Sequence, residues 1–526
     1  MEIGKAVALS IANIRKEGLT DIFPRPYEVD LLKSALFTAK VSAEVEKRIK
    51  SNNLQSLGVH PIQHVLYPKK EPFDFRRAAL MQPLDTIVHL ALVLSIADDI
   101  ERFRSPLREK RVFSYRFHPK DGYLFNSYYH YTAFDAFAQK KTKSNRVNVL
   151  VKCDIANFYD RINLHRLEST LLSLKIDKAR VSLINQLMLF WANRDSYGIP
   201  IGGNASRILA EAALISVDDF LISNKVVFAR YVDDFRFFAP DTKTAHSWLA
   251  SFAERLFLEG LTINSSKTVI EDVSKRVSGA KSEEPSPVPT RVKANTAARM
   301  IVGYTGTVPT KFRKISPGER EKLKDEDLAA LIAELEKQVV LLPNDIKRML
   351  RVLVAKDAFS ELSIMPKILE RFPQFSPLVV DLAIKEADNI PTVTRTVLKN
   401  YFNDVILDAE RIPEYILISS VLLLGTNGYK SEETILALFR NLKRNAGSYI
   451  GRSILDSLLG DANRSQVIEI RQFFNRADSW EKRAIIRLVH QHLPEEETRP
   501  WLKNIKGHLE SDLFAVETIE PTKKTK

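Results

Sequence analysis

The sequence predicts an α+β protein in which a mixed region of helices and strands comes first and an all-α array of helices follows. Three observations carry this expectation. Before about residue 275, strand-like runs such as VNVLVKCDI and VVFARY are interspersed with helical patterns. The stretch KRVSGAKSEEPSPVPTRVKAN is rich in Ser, Pro, Gly and charge, and reads as a linker or exposed loop. Beyond about residue 320, segments such as DLAALIAELEKQVV, DIKRMLRVLVAKDAF, LVVDLAIKEA, YILISSVLLLG, SEETILALFRNL and WEKRAIIRLVHQHL place apolar residues three and four apart, with Pro, Gly or Asn between them.

Taken in order, the opening MEIGKAVALSIANIRKEG reads as an amphipathic helix rather than a signal peptide, because its apolar stretch is short. The expected divisions are 1–145 for an N-terminal helical region, 146–275 for a strand-containing domain, 276–320 for a linker and basic connecting segment, and 321–516 for a helical-repeat domain. No strict internal repeat is visible in that last region, yet successive short amphipathic helices suit an irregular α-solenoid. The tail ETIEPTKKTK, 517–526, is expected to be disordered.

A chain of 526 residues has room for two or three domains. Its 78 lysines and arginines against 65 acids leave a net charge of +13, which favours a polyanionic partner such as nucleic acid or nucleotide. The single cysteine, Cys153, excludes an intrachain disulfide and any CxxC metal site, and agrees with a reducing cytoplasm. No apolar run approaches the roughly 18 residues of a membrane span, so no membrane partner is expected.

The stretch FARYVDDFRFFAP, 228–240, sets Asp233 and Asp234 between runs of β-branched and aromatic residues. Adjacent carboxylates raise each other's pKa, so burying both is costly unless a cation lies between them or water reaches them. Three readings follow: the tip of a surface hairpin, a site for divalent cations, or general acid/base catalysis by two carboxylates. The pairs Asp98–Asp99 and Asp218–Asp219 fall in helical patterns and read as structural. Upstream, VLVKCDIANFYDRIN, 149–163, ends an apolar strand at Asp154, and GIPIGGNASRILAEAAL, 198–214, leads a Gly/Pro loop through Asn204 or Ser206 into an N-capped helix.

Together and in this order, these stretches resemble the palm of reverse transcriptases: motif A as Asp154 to Tyr159, motif B as Gly198 to Glu211, and motif C as YVDD, Tyr231 to Asp234. GLTINSSKT, 260–268, is similar to motif D, with Lys267. The segments FRRAALMQPLDTIVHLAL and VFSYRF, 75–92 and 112–117, resemble fingers, which makes 1–145 a helical and fingers region and 146–275 the palm. RYVDDF with GIP-x-G and SRI-x-AE most resembles the abortive-infection class of bacterial and prophage reverse transcriptases, phage-defence polymerases in which a HEAT-like helical-repeat domain follows the polymerase.

Nucleotidyl transfer is served by two Mg²⁺ ions held by hard oxygen ligands, with Mn²⁺ able to replace them. The resemblance assigns the metals and the catalysis to Asp154, Asp233 and Asp234, with the Ile155 carbonyl as a further ligand. It implies that Tyr159 lies under the sugar and excludes a 2′-hydroxyl, and that Arg76, Arg77, Gly202 and Lys267 serve the nucleotide. The plainer roles stay open: a packed tyrosine, solvated arginines, a surface lysine. Where typical reverse transcriptases have Gln after the motif B proline, this chain has Ile201, a departure that speaks against ordinary templated copying. The resemblance therefore implies Mg²⁺-dependent, template-independent DNA synthesis from deoxynucleoside triphosphates, primed by a tyrosine of the protein and leaving single-stranded DNA covalently attached. A homo-oligomer is compatible with it. Arg291, Lys293, Arg299, Lys311, Arg313 and Lys314 form a basic run suited to the product's path, or a solvated charge run. An RNA-templated reverse transcriptase with an associated RNA, and a non-catalytic nucleic-acid-binding scaffold, are the alternatives.

Overall fold

The computed structural model describes residues 1–68, 75–192, 195–274, 311–338, 341, 343–442 and 449–521. The chain divides into two compact units, Met1–Pro61 with Met81–Gly303, and Ile62–Leu80 with Tyr304–Lys526. The linker read from the sequence falls largely at 275–310, outside the described residues.

The first unit is organised around a four-stranded sheet in the order β6-β7-β5-β8. β5 (Val149–Asp154) and β7 (Asp234–Ala239) run antiparallel at its centre, with β6 (Phe228–Tyr231) at one edge and β8 (Val269–Asp272) at the other. Side chains alternate across β7 as strand geometry dictates. Phe235 and Phe237 meet Phe252 of the helix Thr242–Leu258, at ring separations of 4.6 and 5.3 Å. Asp234, Arg236 and Phe238 belong to the other face, where the Arg236 guanidinium lies over Phe134 and Phe238 meets Phe137, both from the helix Tyr131–Lys141. Both faces are covered, which is why β5 reads as an almost continuous apolar run.

The helix Pro83–Phe103 is buried all round from Pro83 to Ala97 and packs against the opening helix Ile3–Glu17 and the helix Asn204–Ala213. His89 lies in its core, 1% exposed and edge-on to Trp191 at 5.0 Å. The motif B helix departs from the sequence expectation at its start. Gly203 is the N-cap and no side chain caps it. Asn204 is instead turned outward, donating to Asn13 at 2.9 Å and Glu17 at 2.8 Å, because a tie to the opening helix competes with a local cap.

The second unit is helical apart from the hairpin of β1 (Gln63–Pro68) and β2 (Phe75–Leu80), in which Tyr67 packs on Tyr415 of the helix Glu414–Leu424. Residues 62–80, expected with the fingers, thus cluster with the helical unit. Polar pairs join helices to their neighbours in the array. Gln466 donates to Glu433, Arg464 to Glu497, Arg371 to the Gln338 carbonyl, and the His492 ring meets the Leu459 carbonyl; each pair is separated by 33 residues. Other bonds in the array span from 28 residues, Arg452 to the Trp480 carbonyl, to 37, Arg320 to Asp357, so units touch their neighbours as in an irregular solenoid without a fixed period. At Gly425 an added Cβ would stand 2.7 Å from Ser457 Cβ, so glycine permits the helices Glu414–Leu424 and Ile450–Leu458 to approach. The helical unit reaches past both expected limits. Phe312 is buried and its carbonyl accepts from Lys385 at 2.7 Å, and the last helix, Leu513–Ile519, buries Glu517, Thr518 and Ile519, which the sequence assigns to the tail.

Burial holds the His89 imidazole neutral, with its pKa pulled down to about 3. The unfolded chain takes up a proton below about pH 6.5 that the folded chain refuses, so this stability is complete above that pH and is lost as pH falls toward 3. Compared by urea unfolding at pH 7 and pH 5, His89→Leu is expected to lose about 2 kcal/mol less than wild type over that interval. An equal loss in both proteins would show that His89 titrates normally.

Candidate active site

The end of β5 and the β6–β7 turn meet. Asp154 and Asp234 are directly opposed partners in the antiparallel register, Tyr231 faces Asp234 across the hairpin, and the Ile155 amide donates to the Asp233 carbonyl at 3.2 Å. After Asp154 the chain passes through Asn157 with φ 47°, a left-handed conformation that Asn tolerates, into the short helix Phe158–Arg161. That helix carries Tyr159, 7% exposed, with its ring edge-on to Phe158 and its carbonyl accepting from the Ile199 amide at 3.0 Å.

Lys267 reaches this point from the 3₁₀ turn Ser265–Lys267. Its Nζ donates to Asp154 Oδ2 at 2.9 Å, and Asn264 Nδ2 donates to the same oxygen at 3.2 Å. Partial burial works against the ammonium charge. The hydrogen bond to Asp154 and the charges of Asp154, Asp233 and Asp234 outweigh it and raise the Lys267 pKa. Burial, then Asp154 and Asp234, raises the Cys153 thiol far enough to keep it protonated. Tyr131, edge-on to Tyr231 at 5.4 Å, is likewise raised by burial and by Asp234.

The donor set suits a hard divalent cation: carboxylates from two strands converge, and a lysine ammonium already rests on one of them as a stand-in. Among the described residues no three His, Cys, Asp or Glu side chains form a ready metal cage. Magnesium does not require one, since it is commonly held by one or two carboxylates together with substrate phosphates.

The turn is a two-residue hairpin whose first central residue, Val232, has φ 56° while Asp233 does not share the positive sign. That pattern belongs to type II′ turns, where glycine is usual. A β-branched residue there costs of order 1–3 kcal/mol and persists where its surroundings hold it. Here a buried polar network does so. Ser114 Oγ accepts from the Val232 amide at 2.9 Å and donates to Glu211 Oε1. Glu211 also receives Arg104 at 2.6 Å and Arg230 at 2.8 Å, while Arg230 grips Asp218 with two bonds of 2.7 Å. Arg230 Nη1 further donates to the Val232 carbonyl at 3.3 Å. Burial opposes the Glu211 charge, but Arg230 and Arg104 overcome it and lower its pKa, and the two acids raise that of Arg230 against the cost of its own burial.

The structure thus gathers Asp154, Ile155, Asp233, Asp234 and Lys267 at one place, with Tyr159 on the helix that follows. Gly202, φ 126°, lies in the loop before the motif B helix, where a Cβ would meet Thr20 Oγ1 at 2.6 Å. Arg76 and Arg77 lie on β2 in the second unit, opposite Tyr67 and Leu66. Lys311, Arg313 and Lys314 are exposed in that unit, and Arg291, Lys293 and Arg299 fall outside the described residues. Sequence reasoning missed Ser114, Arg104 and Arg230. The legible signal was Arg230, a charge in a strand between Phe228 and Tyr231, answered by Glu211 and Asp218 on the buried faces of two helices.

The four-stranded sheet with its acid-bearing hairpin has the fold of a reverse-transcriptase-like palm. Residues 68–286 match the family model for reverse transcriptase (RNA-dependent DNA polymerase), and the chain carries a reverse-transcriptase domain. Such domains are nucleotidyltransferases that use divalent metal ions. Among solved structures it is similar to telomerase from Candida albicans in complex with a TWJ fragment of telomeric RNA (13% identity, 78% of this chain and 69% of that one, TM-score 0.29). It is also similar to apo telomerase from Candida tropicalis (11% identity, 78% and 67%, TM-score 0.33). No curated protein matches the chain. Among the described residues no helix is long and apolar enough to cross a membrane.

Replacing Arg230 by Leu leaves the buried Asp218 without its cation and Glu211 with Arg104 alone. Stability in urea is expected to fall by about 3–5 kcal/mol. Arg102→Leu, whose pair with Asp99 lies at the surface, is the control and should leave the transition in place.

Proposed function

We propose that this chain is a DNA polymerase that adds deoxynucleotides without a template to a tyrosine hydroxyl of its own, in defence against phage. The observation that carries the catalytic part of this reading is the opposed pair Asp154–Asp234, with Asp233 beside it and Lys267 bonded to Asp154. Asp154, Asp233, Asp234 and the Ile155 carbonyl are the groups that would hold magnesium, or manganese in its place. When bound, the metal supplies charge neutralisation for the triphosphate and activation of the attacking hydroxyl. Lys267 brings positive charge to where negative charge develops on the leaving pyrophosphate. Tyr159 closes the space beneath the sugar, favouring deoxynucleotides.

Template independence is supported by Ile201, which is buried and offers no polar group where a glutamine would stand in copying enzymes. The helical unit in place of a thumb agrees with the phage-defence class. Lys311, Arg313 and Lys314, with Arg291, Lys293 and Arg299, are proposed to line the path of the DNA product, and Arg76 and Arg77 to contact triphosphate. A second reading, RNA-templated synthesis on an associated RNA, is favoured by the description of the matching family, RNA-dependent DNA polymerase.

Incubation with labelled deoxynucleotides and Mg²⁺, without template or primer, followed by denaturing electrophoresis, separates these readings. Label that stays with the protein until protease is added supports self-priming, whereas synthesis abolished by ribonuclease pretreatment supports an RNA template. Asp233→Asn keeps the shape but removes a charged ligand, and incorporation should fall by roughly a thousandfold, about 4 kcal/mol in the barrier. Near wild-type incorporation by that variant would refute the site.

Tyr159→Ala opens the space beneath the sugar. In competition assays, ribonucleotide incorporation should rise relative to deoxynucleotide by about tenfold or more. A variant active on deoxynucleotides with unchanged discrimination would exclude Tyr159 as the gate.

A further inference from the structure

The strained turn that carries Asp233 and Asp234 is held through its backbone rather than through the acids. Val232 has φ 56°, its amide donates to Ser114 Oγ at 2.9 Å, and its carbonyl accepts from Arg230 at 3.3 Å. Both peptide groups of one residue therefore end in a single buried network. Ser114 is wholly buried, and the Glu211 carboxylate to which it donates is 1% exposed and fixed by Arg104 and Arg230. A hydroxyl that donates to a carboxylate has its lone pairs directed elsewhere, and here one of them meets the Val232 N–H. Without that acceptor, nothing at the amide opposes the return of valine to a negative φ. Such a return would re-aim the peptides on both sides of Val232, drawing its amide from Ser114 and its carbonyl from Arg230, and would displace the next residue, Asp233, whose own carbonyl receives the Ile155 amide.

We infer that Ser114 is a positioning residue for nucleotide addition: with Glu211 behind it, its hydroxyl clamps Val232 in the left-handed conformation that sets the two acids of the turn opposite Asp154. The inference rests on the polymerase reading for its effect on turnover. The clamp itself is a property of the folded chain and is readable without catalysis. Ser114 comes from VFSYRF, a segment distant in sequence from every acid of the site, so the clamp joins the fingers-like region to the catalytic hairpin.

Two measurements on the full chain test it. The first is a mutant cycle. Ser114→Ala should lower the turnover number by about 10- to 100-fold while leaving the nucleotide KM within about threefold, because a misplaced ligand harms the transition state more than binding. Glycine adopts a positive φ without strain, so in a Val232→Gly background the same Ser114→Ala change should cost less than about threefold. Equal losses in the two backgrounds, or no loss in either, would overturn the clamp. The second is amide hydrogen exchange read by mass spectrometry on fragments spanning 230–235. Ser114→Ala should speed exchange there, with the thermal transition retained, and Ser114→Ala with Val232→Gly should exchange like Val232→Gly alone in the fragment's remaining amides. Unchanged exchange in Ser114→Ala would refute the clamp whatever the activity. A wild-type chain that incorporates no nucleotide, yet shows the predicted exchange difference, would overturn the polymerase reading and leave the clamp standing.

Discussion

Arg230 is fully buried, and the arrangement of the palm depends on how its charge is met. A guanidinium out of water is costly unless each of its donors finds an acceptor, and here Asp218 takes a planar two-bond grip while Glu211 and the Val232 carbonyl take the remaining fork. The partners come from two consecutive helices and from the turn itself, so one side chain ties the helix Asn204–Ala213, the helix after it and the hairpin of β6 and β7 together. Arg104 and Ser114 extend the network toward the long buried helix Pro83–Phe103 and the segment after it. Removing one member of such a network leaves buried polar groups unpaired, which makes the geometry of the turn sensitive to each of them.

The acids at the site obey the opposite logic. Asp154 and Asp234 face each other across a strand pair, where like charges destabilise a sheet. Lys267 offsets part of this repulsion at Asp154, and its raised pKa shows which way the field runs. A cluster of acids that draws an ammonium from its own chain has the field to draw a divalent cation as well. Glu211 and Asp218 are met by Arg230 and Arg104 inside the fold, whereas Asp154 is met by Lys267 from a surface turn.

The helical unit shows a different economy. Its helices are joined by polar pairs whose chemistry differs along the array: an amide with a carboxylate, a guanidinium with a carboxylate, an imidazole with a carbonyl. The hairpin of β1 and β2 is held in this unit by Tyr67 on Tyr415, and burial, with Glu414 nearby, keeps the Tyr67 phenol protonated.

The amino-acid sequence by itself determined the α+β class, the hairpin at VDD, the strand ending at Asp154 and the helical character of the second half. These follow from periodicity and turn chemistry, which are local properties. Through the resemblance of its motifs, in order, to those of reverse transcriptases, it also pointed to Asp154, Asp233, Asp234 and Lys267. Tertiary structure alone decided that Asp98 and Asp219 lie outside the buried network while Asp218 anchors Arg230, and that Asn204 ties two helices together instead of capping its own. It likewise decided that Ser114 stands behind Val232, that residues 62–80 join the helical unit, and that Glu517, Thr518 and Ile519 finish a buried helix. The physical reason is common to all of these. Periodicity reports which face of an element is apolar, but the partner of a buried charge or hydroxyl lies on another element, at a sequence distance that only the packing sets.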